Sequence, residues 1–289
     1  MTNDRALVAG AGLMGHGIAQ VLAATGRRVA LYEPELTRAE AGRQRIAGNL
    51  ERSVAKGRQT ADDAAALLDR VSATDDLAAA AAGVELIVEA VFEDVAVKTA
   101  LWTELDRLAP KEAIFATNTS SIAIDRLAEA VGAPRRARFI GMHFFSPVPV
   151  MPLIEMIRGS ATTDATEAAI RALAAEMGKR VIVSADRPGF IVNRILMPFL
   201  AEAMRAYADG LGTADDIDTG ARIGLNHPMG PLELADFIGL DVCLGIMRVL
   251  HEGLGDARFA PPPMLEELVA AGHLGQKTGQ GFHRWPRER

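Results

Sequence analysis

The sequence predicts an α/β protein in which a mostly parallel, wound sheet is followed by an all-α C-terminal domain. Across residues 1–185, short apolar segments typical of strands alternate with segments typical of helices, and this alternation predicts a parallel sheet with helical crossovers. At Pro188 and Gly189, two residues that interrupt regular structure follow each other. Beyond them we find helix signals but no convincing strand, so we predict domains over 1–185 and 186–289.

The first strand and helix predict a Rossmann-type dinucleotide site. An apolar strand over 6–9 leads into Gly10-x-Gly12-x-x-Gly15, which opens an apolar helix pattern. In such a loop the first glycine allows the tight turn, the second lets the backbone approach a pyrophosphate, and the third lets the helix pack close to the strand. The helix N-terminus adds unpaired N–H groups and a partial positive charge. The residues expected to bind the cofactor here are Gly10, Gly12, Leu13, Met14 and Gly15.

The second strand, predicted over 28–32, ends at the acidic residue Glu33. A carboxylate at this place can accept hydrogen bonds from the adenosine ribose hydroxyls and repels a 2′-phosphate, so the motif favours NAD over NADP. Arg27 and Arg28 are close in sequence and would oppose this preference. NAD is therefore the predicted cofactor.

A long helix-forming insertion separates Glu33 from the next strand candidate at 71–74. The gap is nearly forty residues, whereas a simple crossover needs about a dozen. We interpret the insertion as a protruding helical hairpin over about 37–70. A solvated helix face explains the same basic composition, and the sequence leaves both readings open. The basic residues of the hairpin are Arg38, Arg43, Arg45, Arg52, Lys56 and Arg58.

The remaining elements follow from short apolar runs and from helix signals. The further predicted strands cover 86–89, 113–117, 138–142, 153–157 and 180–184. Four C-terminal helices are predicted. The first covers 190–208, the second begins after a cap at Thr213, the third is one apolar helix that ends at Leu250, and the last covers 263–271. So much apolar surface in a small helical domain predicts that part of it is buried in a homodimer.

Composition argues against several classes of function. The chain has 31 basic and 37 acidic residues, and a net charge of −6 is unfavourable for general nucleic-acid binding. We expect neither a membrane span nor a signal peptide, because no apolar run is long enough and the first strand begins at once. The single cysteine, Cys243, and the absence of metal-ligand spacings fit a cytoplasmic protein without a metal. His283 is expected to be a surface or packing residue.

Four polar residues lie where a wound sheet binds ligands or where burial demands a partner. Ser120 and His143 stand at the carboxyl ends of two predicted strands. Glu155 lies within the apolar run PLIEMI, which predicts burial, and a nearby imidazole is the obvious partner for a buried carboxylate. Asn193 falls early in the first helix of the second domain.

Along essentially its whole length the chain resembles the L-3-hydroxyacyl-CoA dehydrogenase family, and most closely the short bacterial members that act on 3-hydroxybutyryl-CoA. The resemblance is carried by seven blocks in the family's order, which are jointly specific although a glycine motif alone is not. These blocks are GAGLMGHGIAQ, EAVFEDVAVK, TNTSS, GMHFFSPVPVMPLIEMIRG, RPGFIVNRIL, NHPMGPLELADFIGLD and LGQKTGQGF.

The resemblance implies a reversible, NAD-dependent oxidation of an (S)-3-hydroxyacyl-CoA. It implies that His143 is the catalytic base and Glu155 its partner, with Ser120 and Asn193 orienting the substrate. The implied cofactor contacts outside the first unit of strand and helix are Glu93, Lys98, Ser120, Ser146 and Lys277. Lys98 is also implied near the substrate, and Lys56 near the coenzyme A phosphates. Ser146 stands where many members have asparagine, which implies altered cofactor affinity.

Other functions remain open on the sequence alone. One alternative substrate is another 3-hydroxyacyl-CoA, such as the dicarboxylic 3-hydroxyadipyl-CoA, and a second is a free 3-hydroxy acid. A non-catalytic NAD-binding homologue is a further alternative, because a fold does not imply an activity. The retention of all four polar residues speaks against that last alternative.

Overall fold

The computed structural model describes residues 4–286 and divides into two compact units, Met1–Arg187 and Pro188–Arg289. The first unit is built on one eight-stranded sheet. Its strands are β1 (Arg5–Ala9), β2 (Arg28–Tyr32), β3 (Val71–Thr74), β4 (Leu86–Glu89), β5 (Ile114–Thr117), β6 (Phe139–Phe144), β7 (Leu153–Arg158) and β8 (Arg180–Ala185). Their order is β3-β2-β1-β4-β5-β6-β7-β8, which confirms the predicted wound sheet.

Helices connect these strands, as the alternating sequence pattern predicts. They are α1 (Gly15–Ala24), α2 (Leu36–Ala55), α3 (Ala61–Leu68), α4 (Leu77–Ala81), α5 (Val95–Leu108), α6 (Ile124–Ala128), α7 (Ala133–Arg136) and α8 (Asp164–Glu176). Strands β4 and β5 are buried at every residue, which explains why they read as continuous apolar runs instead of alternating ones.

Only the pairing of β6 with β7 is antiparallel among the strands of this sheet. The connection between them spans 145–152, which is too short for the crossover that a parallel pair requires. In this antiparallel register His143 lies directly opposite Glu155. A local reversal of the sheet therefore brings the two residues together.

Helices α2 and α3 form the predicted hairpin, but the expectation that it protrudes is wrong for much of its length. Ile46 and Leu50 of α2 and Leu67 of α3 are buried and belong to the same apolar core as β1, β2 and β4. Arg43 donates hydrogen bonds to the carbonyl oxygens of Val71, at 2.8 Å, and Leu68, at 3.3 Å. The insertion thus covers one end of the sheet, because its buried apolar stripe needs a surface to pack on.

The second unit consists of helices, as predicted. They are α9 (Val192–Ala208), α10 (Ala214–Thr219), α11 (Pro231–Ile238), α12 (Leu240–Leu254) and α13 (Pro263–Ala270), with a π-helical turn at Gly220–Gly224 and 3₁₀ turns at Ala257–Phe259 and Gln276–Thr278. Thr213 caps α10, as expected, through a reciprocal capping box with Asp216. The single apolar helix predicted up to Leu250 is wrong: Gly239, with φ of +104°, separates α11 from α12.

Two buried aspartates tie the last described residues to the helices of this unit. Asp236 accepts hydrogen bonds from the backbone of Phe282, at 3.0 Å, and from the Trp285 indole, at 2.9 Å. Asp218 accepts one from His283 Nε2 at 2.7 Å. His283, expected to be a surface or packing residue, is half-buried against Trp285, and its ring also joins this polar cluster. Two isolated β-bridges at Gln280 are the only strand pairing among the described residues of the unit.

None of the helices within 4–286 combines the length and the apolarity that crossing a membrane would take.

Candidate active site

The glycine-rich turn between β1 and α1 combines two crowded positions with one open one. Gly10 has φ of +104°, and a Cβ there would lie 2.4 Å from the carbonyl oxygen of Ala90. A Cβ at Gly15 would lie 1.7 Å from the carbonyl oxygen of Gly10, so the helix packs directly on the turn. At Gly12 a Cβ would meet nothing within 4 Å. The turn therefore keeps its open face at the position where a dinucleotide pyrophosphate must approach, and it fits NAD.

Glu33, directly after β2, is buried and is held by the same turn. Its Oε1 accepts a hydrogen bond from the backbone N–H of Ala11 at 2.7 Å. Its Oε2 lies 3.9 Å from Nε of Arg38 on α2. A fixed carboxylate at the end of β2 fits the ribose of NAD, and the predicted NAD specificity has a structural basis here.

The two arginines that the sequence sets against this preference lie at the other end of β2. Arg28 is its first residue, whereas Glu33 follows its last residue. Arg27 is buried and forms ion pairs with Glu85, at 3.3 Å, and Glu176, at 2.6 Å. The opposition expected from Arg27 and Arg28 is wrong, and Arg38 is the arginine that the fold brings to Glu33.

Next to β1, a buried ion-pair network continues along the carboxyl edge of the sheet. Lys98 Nζ on α5 lies 2.5 Å from Oε1 of Glu89 and 3.1 Å from Oε2 of Glu93. Glu89 also accepts hydrogen bonds from Thr117 Oγ1, at 2.7 Å, and from the Val91 N–H, at 2.9 Å. Lys98 and Glu89 are almost completely buried, so their charges interact with each other and are shielded from solvent.

The two carboxylates of this network differ in their acidity. Burial raises the pKa of Glu89 above its ordinary value, against the opposing effects of the Lys98 ammonium and the Thr117 hydroxyl. Burial acts in the same direction on Glu93, but the charge of Lys98 and hydrogen bonds from Thr119 and Ser120 outweigh it, and the pKa of Glu93 is lowered. Glu93 is therefore the carboxylate that carries the negative charge most readily.

Glu93 holds the loop that follows β5. Its Oε1 accepts hydrogen bonds from Thr119 Oγ1, at 2.5 Å, from the Ser120 N–H, at 2.9 Å, and from Ser121 Oγ, at 3.0 Å. The predicted cofactor contacts Glu93 and Lys98 thus support the loop that carries Ser120. Glu89 and Thr119 are parts of this support that sequence reasoning missed, although a carboxylate inside the apolar strand LIVE signals a buried partner.

The His143–Glu155 pair lies on β6 and β7, the two strands that follow β5 in the sheet. Nδ1 of His143 is 3.0 Å from Oε2 of Glu155, and both residues are buried. A carboxylate at this distance favours the tautomer in which Nδ1 donates to it. The expected contact between the two residues is present in the geometry.

Asn118 connects the Ser120 loop to this pair. Its Oδ1 accepts a hydrogen bond from the backbone N–H of Phe144, the neighbour of His143, at 2.9 Å. Strands β5 and β6 are adjacent in the sheet, so the loop and the imidazole emerge side by side. This bridging role of Asn118 was not predicted, because a side-chain bond to backbone leaves no residue pattern in a sequence.

The remaining predicted site residues are distributed over other elements. Ser146 is exposed, just beyond β6, and Lys56 is exposed at the C-terminal cap of α2. Asn193 is the second residue of α9, in the second unit. Lys277, also in that unit, lies 2.5 Å from Oδ1 of Asp241 and lines a groove of about 980 Å³. The first unit thus brings together Gly12, Glu33, Glu93, Lys98, Ser120, His143 and Glu155 along the carboxyl edge of one sheet.

Comparison with known proteins gives a family for both units. Residues 5–187 match the domain described as 3-hydroxyacyl-CoA dehydrogenase, NAD binding domain, and residues 189–285 match 3-hydroxyacyl-CoA dehydrogenase, C-terminal domain. A 3-hydroxybutyryl-CoA dehydrogenase of Bradyrhizobium diazoefficiens is 48% identical over 96% of this chain and 93% of its own. One of Mycobacterium tuberculosis is 42% identical over 98% of each chain.

A solved structure agrees with these relatives. The crystal structure of (S)-3-hydroxybutyryl-CoA dehydrogenase from Ralstonia eutropha superposes with a TM-score of 0.94 at 40% sequence identity, covering 99% of this chain and 100% of that one. The similarity therefore extends over both units.

Proposed function

The chain belongs to the 3-hydroxyacyl-CoA dehydrogenase family, and from this premise we propose that its substrate is (S)-3-hydroxybutyryl-CoA. The protein is an NAD-dependent oxidoreductase; the glycine-rich turn and Glu33 would hold NAD, which would supply a hydride acceptor for C3 of the hydroxyacyl group. The observation that carries the proposal is the buried His143–Glu155 pair, with its Nδ1–Oε2 distance of 3.0 Å, beside the Ser120 loop. It supplies a proton acceptor where the substrate hydroxyl must lose its proton.

His143 acts as the general base in oxidation and as the general acid in reduction. Its Nε2 takes the proton of the 3-hydroxyl group as the hydride leaves C3, and returns it when a 3-oxoacyl group is reduced. Glu155 fixes the tautomer through the Nδ1–H bond and stabilises the imidazolium that forms. The pair therefore serves both directions without rearrangement.

Other residues bind and orient the substrate in this proposal. The Ser120 hydroxyl holds the 3-oxygen, and Glu93 keeps its loop in place through the Ser120 N–H bond of 2.9 Å. Asn193 orients the thioester end of the substrate. Lys56, exposed on α2, attracts the phosphates of coenzyme A.

The direct test is the oxidation of NADH on mixing the protein with acetoacetyl-CoA, in parallel with NADPH. We expect a rapid loss of NADH absorbance and a much slower loss of NADPH absorbance. Absence of any loss, from folded protein that binds NADH in a fluorescence titration, would overturn the proposed substrate. A series containing 3-oxoadipyl-CoA and free acetoacetate then identifies which alternative acyl group, if any, is accepted.

The Lys56→Glu variant separates coenzyme A thioesters from free acids. If the phosphates bind near Lys56, the Michaelis constant for acetoacetyl-CoA rises while kcat changes little, because the reacting centre is untouched. A free-acid substrate would leave the Michaelis constant unchanged in this variant. Lys111→Glu, an exposed lysine just beyond α5, is a matched control with the same change of charge.

We further propose that the protein is a homodimer formed through its helical unit. Leu211, Ile223 and Leu225 of this unit are 81%, 80% and 64% exposed in the single chain. Large apolar side chains exposed on one unit support an interface. Light scattering of the wild-type protein should give twice the monomer mass, and Ile223→Glu should lower it; a wild-type monomer contradicts the proposal.

A cytoplasmic location is proposed as well. The one cysteine, Cys243, is a buried free thiol, which suits a reducing compartment. Fractionation of the source cells, with an antibody to the protein, tests it. Recovery outside the cytoplasmic fraction would contradict the proposal.

A further inference from the structure

We propose that Arg38 is a specificity-determining residue for the cofactor. Its guanidinium is able to bind the 2′-phosphate of NADP(H), and the carboxylate of Glu33 prevents this binding in the wild-type protein. The inference rests on the NAD-dependent reaction described above and concerns the adenosine end of the cofactor, away from the reacting atoms. It predicts that a single neutral substitution at Glu33 allows the protein to bind NADP(H) as well as NAD(H). Arg38 is then the group that binds the additional phosphate.

The contact between Arg38 and Glu33 is loose, whereas Glu33 itself is firmly held. Oε1 of Glu33 accepts the Ala11 N–H at 2.7 Å, which fixes the carboxylate against the glycine-rich turn. Oε2 lies 3.9 Å from Nε of Arg38. The side chain of Arg38 is 64% exposed and that of Glu33 only 11% exposed. An ion pair at 3.9 Å with one largely exposed partner contributes little to stability, so the guanidinium can leave Glu33 at small cost.

The position of Arg38 follows from the packing of α2. At Gly42 a Cβ would lie 2.7 Å from Cβ of Ala11 and 3.1 Å from Cδ2 of Leu31, so α2 meets β2 and the glycine-rich turn at this residue. Arg38 precedes Gly42 by four residues and therefore lies on the same helix face. Arg45, three residues after Gly42, reaches the carbonyl oxygen of Ala11 at 3.5 Å. Close packing at one glycine thus directs two arginines to the turn that binds the dinucleotide.

Other arginines near β2 are committed elsewhere. Arg27 is buried between Glu85 and Glu176, and Arg43 donates to the Val71 and Leu68 carbonyl groups. Within residues 4–286, Glu33 is the only side chain that pairs with the Arg38 guanidinium. Arg38 is therefore the cation best able to change partner at this end of β2.

Charge is the reason to expect that the wild-type site disfavours NADP(H). A 2′-phosphate would bring about two negative charges next to the carboxylate of Glu33, and this repulsion exceeds the attraction of one exposed guanidinium. When residue 33 is neutral, the repulsion disappears and Arg38 can bind the phosphate oxygens in bidentate geometry. The Glu33→Gln substitution suits this test, because its amide oxygen can still accept the Ala11 N–H.

The experiment measures the dissociation constants of NADH and NADPH by fluorescence titration, without any acyl-CoA. We expect Glu33→Gln to bind NADPH roughly tenfold or more tightly than the wild-type protein does. Adding Arg38→Ala should abolish this gain. Adding Arg28→Ala instead, an exposed arginine at the other end of β2, should leave the gain intact. Equal NADPH affinity of Glu33→Gln with and without Arg38, or no gain in Glu33→Gln, would overturn the proposal.

A second neutral variant, Glu33→Ser, keeps the proposal testable if Glu33→Gln does not fold. Arg38 is exposed, so adding Arg38→Ala should keep the thermal stability of Glu33→Ser and its NADH affinity, while its NADPH affinity should fall. An NADPH affinity of Glu33→Ser that does not depend on Arg38 contradicts the proposal. Failure of the proposed substrate would appear differently, as normal binding of NADH without turnover of acetoacetyl-CoA.

Discussion

Individual carboxylates determine what this site can do, because each is held by its own hydrogen-bond donors. Glu33 is fixed by the Ala11 N–H, Glu155 by His143, and Glu93 by the loop that carries Ser120. Replacement of such a carboxylate by its amide keeps the shape of the side chain and removes its charge. Amide variants therefore distinguish two effects of a carboxylate, namely how it orients a neighbouring group and how its charge stabilises that group.

The His143–Glu155 pair gives the first prediction at this scale. His143→Gln and Glu155→Gln should each lower the turnover of acetoacetyl-CoA roughly a hundredfold or more, because a general acid–base contribution is lost. The affinity for NADH should be unchanged in both variants. Glu112→Gln, an exposed carboxylate that pairs with Arg138, is the matched control and should keep wild-type turnover. Near-normal turnover of either pair variant would contradict the proposed roles.

Cys243 gives the second prediction. It is completely buried in the core of the helical unit, and burial, followed by the charges of Asp241 and Asp236, raises the pKa of its thiol to about 12. A thiol needs its thiolate form to react, so thiol reagents should leave the native protein unlabelled and active at neutral pH. Mass spectrometry should find one label per chain after denaturation. Rapid labelling of the native protein would show that the second unit opens locally.

Single residues also show how far the sequence could be interpreted. Apolar flanks predict the burial of Glu155, and the same reasoning applies to Glu89 in the run LIVE. A sequence does not reveal which cation reaches a buried acid, however, because that depends on how a later helix packs. The resemblance implies that Lys98 contacts the cofactor, and only the fold shows that its ammonium lies between Glu89 and Glu93.

At the scale of elements, local reversals and breaks shape the fold more than propensity does. The strands and most helices follow from apolar periodicity, but the antiparallel turn from β6 to β7 follows only from the short connection at 145–152. The division between α11 and α12 lies at a glycine inside an apolar run. In a sequence, a single glycine of this kind is compatible with a continuous helix. Its φ of +104° ends the helix there, and no composition signal reports a dihedral angle.

The glycine-rich turn gives the third prediction. Gly15→Ala should destabilise the protein by roughly 1–3 kcal/mol, because its Cβ would lie only 1.7 Å from the Gly10 carbonyl oxygen. Gly12→Ala should keep the melting temperature, since nothing lies within 4 Å, but should weaken the binding of NADH by occupying the space that the pyrophosphate needs. Thermal unfolding and a fluorescence titration of both variants distinguish these effects. Wild-type NADH affinity in Gly12→Ala would refute the assignment of the open face.

At the scale of the whole molecule, the network of Glu89, Lys98 and Glu93 couples stability to pH. The pKa of Glu93 is lower in the folded protein than its ordinary value of 4.5, so this residue stabilises the fold at pH values above 4.5. That contribution is lost as the pH falls through the folded-state pKa. The pKa of Glu89 is raised, so its share is present at low pH and declines as the pH rises through its folded-state value.

The fourth prediction follows from this difference. Glu93→Gln should be less stable than the wild-type protein at neutral pH, and its stability should fall less steeply on acidification below pH 4.5. Melting temperatures recorded across the acidic range test both statements. Parallel curves for the two proteins would show that Glu93 does not titrate differently on folding. Glu112→Gln serves again as the exposed control.

For the molecule as a whole, the α/β class, the parallel order of most strands and the all-helical C-terminal part are confirmed. These properties depend on apolar periodicity, which is a local signal. The polar cluster of Asp218, Asp236 and His283 escaped prediction because its members are far apart in sequence and are joined only by packing. Long-range polar contacts are thus the part of this fold that residue patterns do not encode.

The antiparallel pairing of β6 and β7 has a consequence for refolding. Both strands are buried on both faces, so apolar burial alone hardly distinguishes the native alignment from one shifted by a single residue. A shifted alignment would carry Glu155 away from His143 and leave a buried carboxylate without its imidazole. The pair that we propose for catalysis thereby also disfavours a shifted alignment. Recovered enzyme activity after dilution from denaturant would then measure the fraction of chains in which these two strands have aligned correctly.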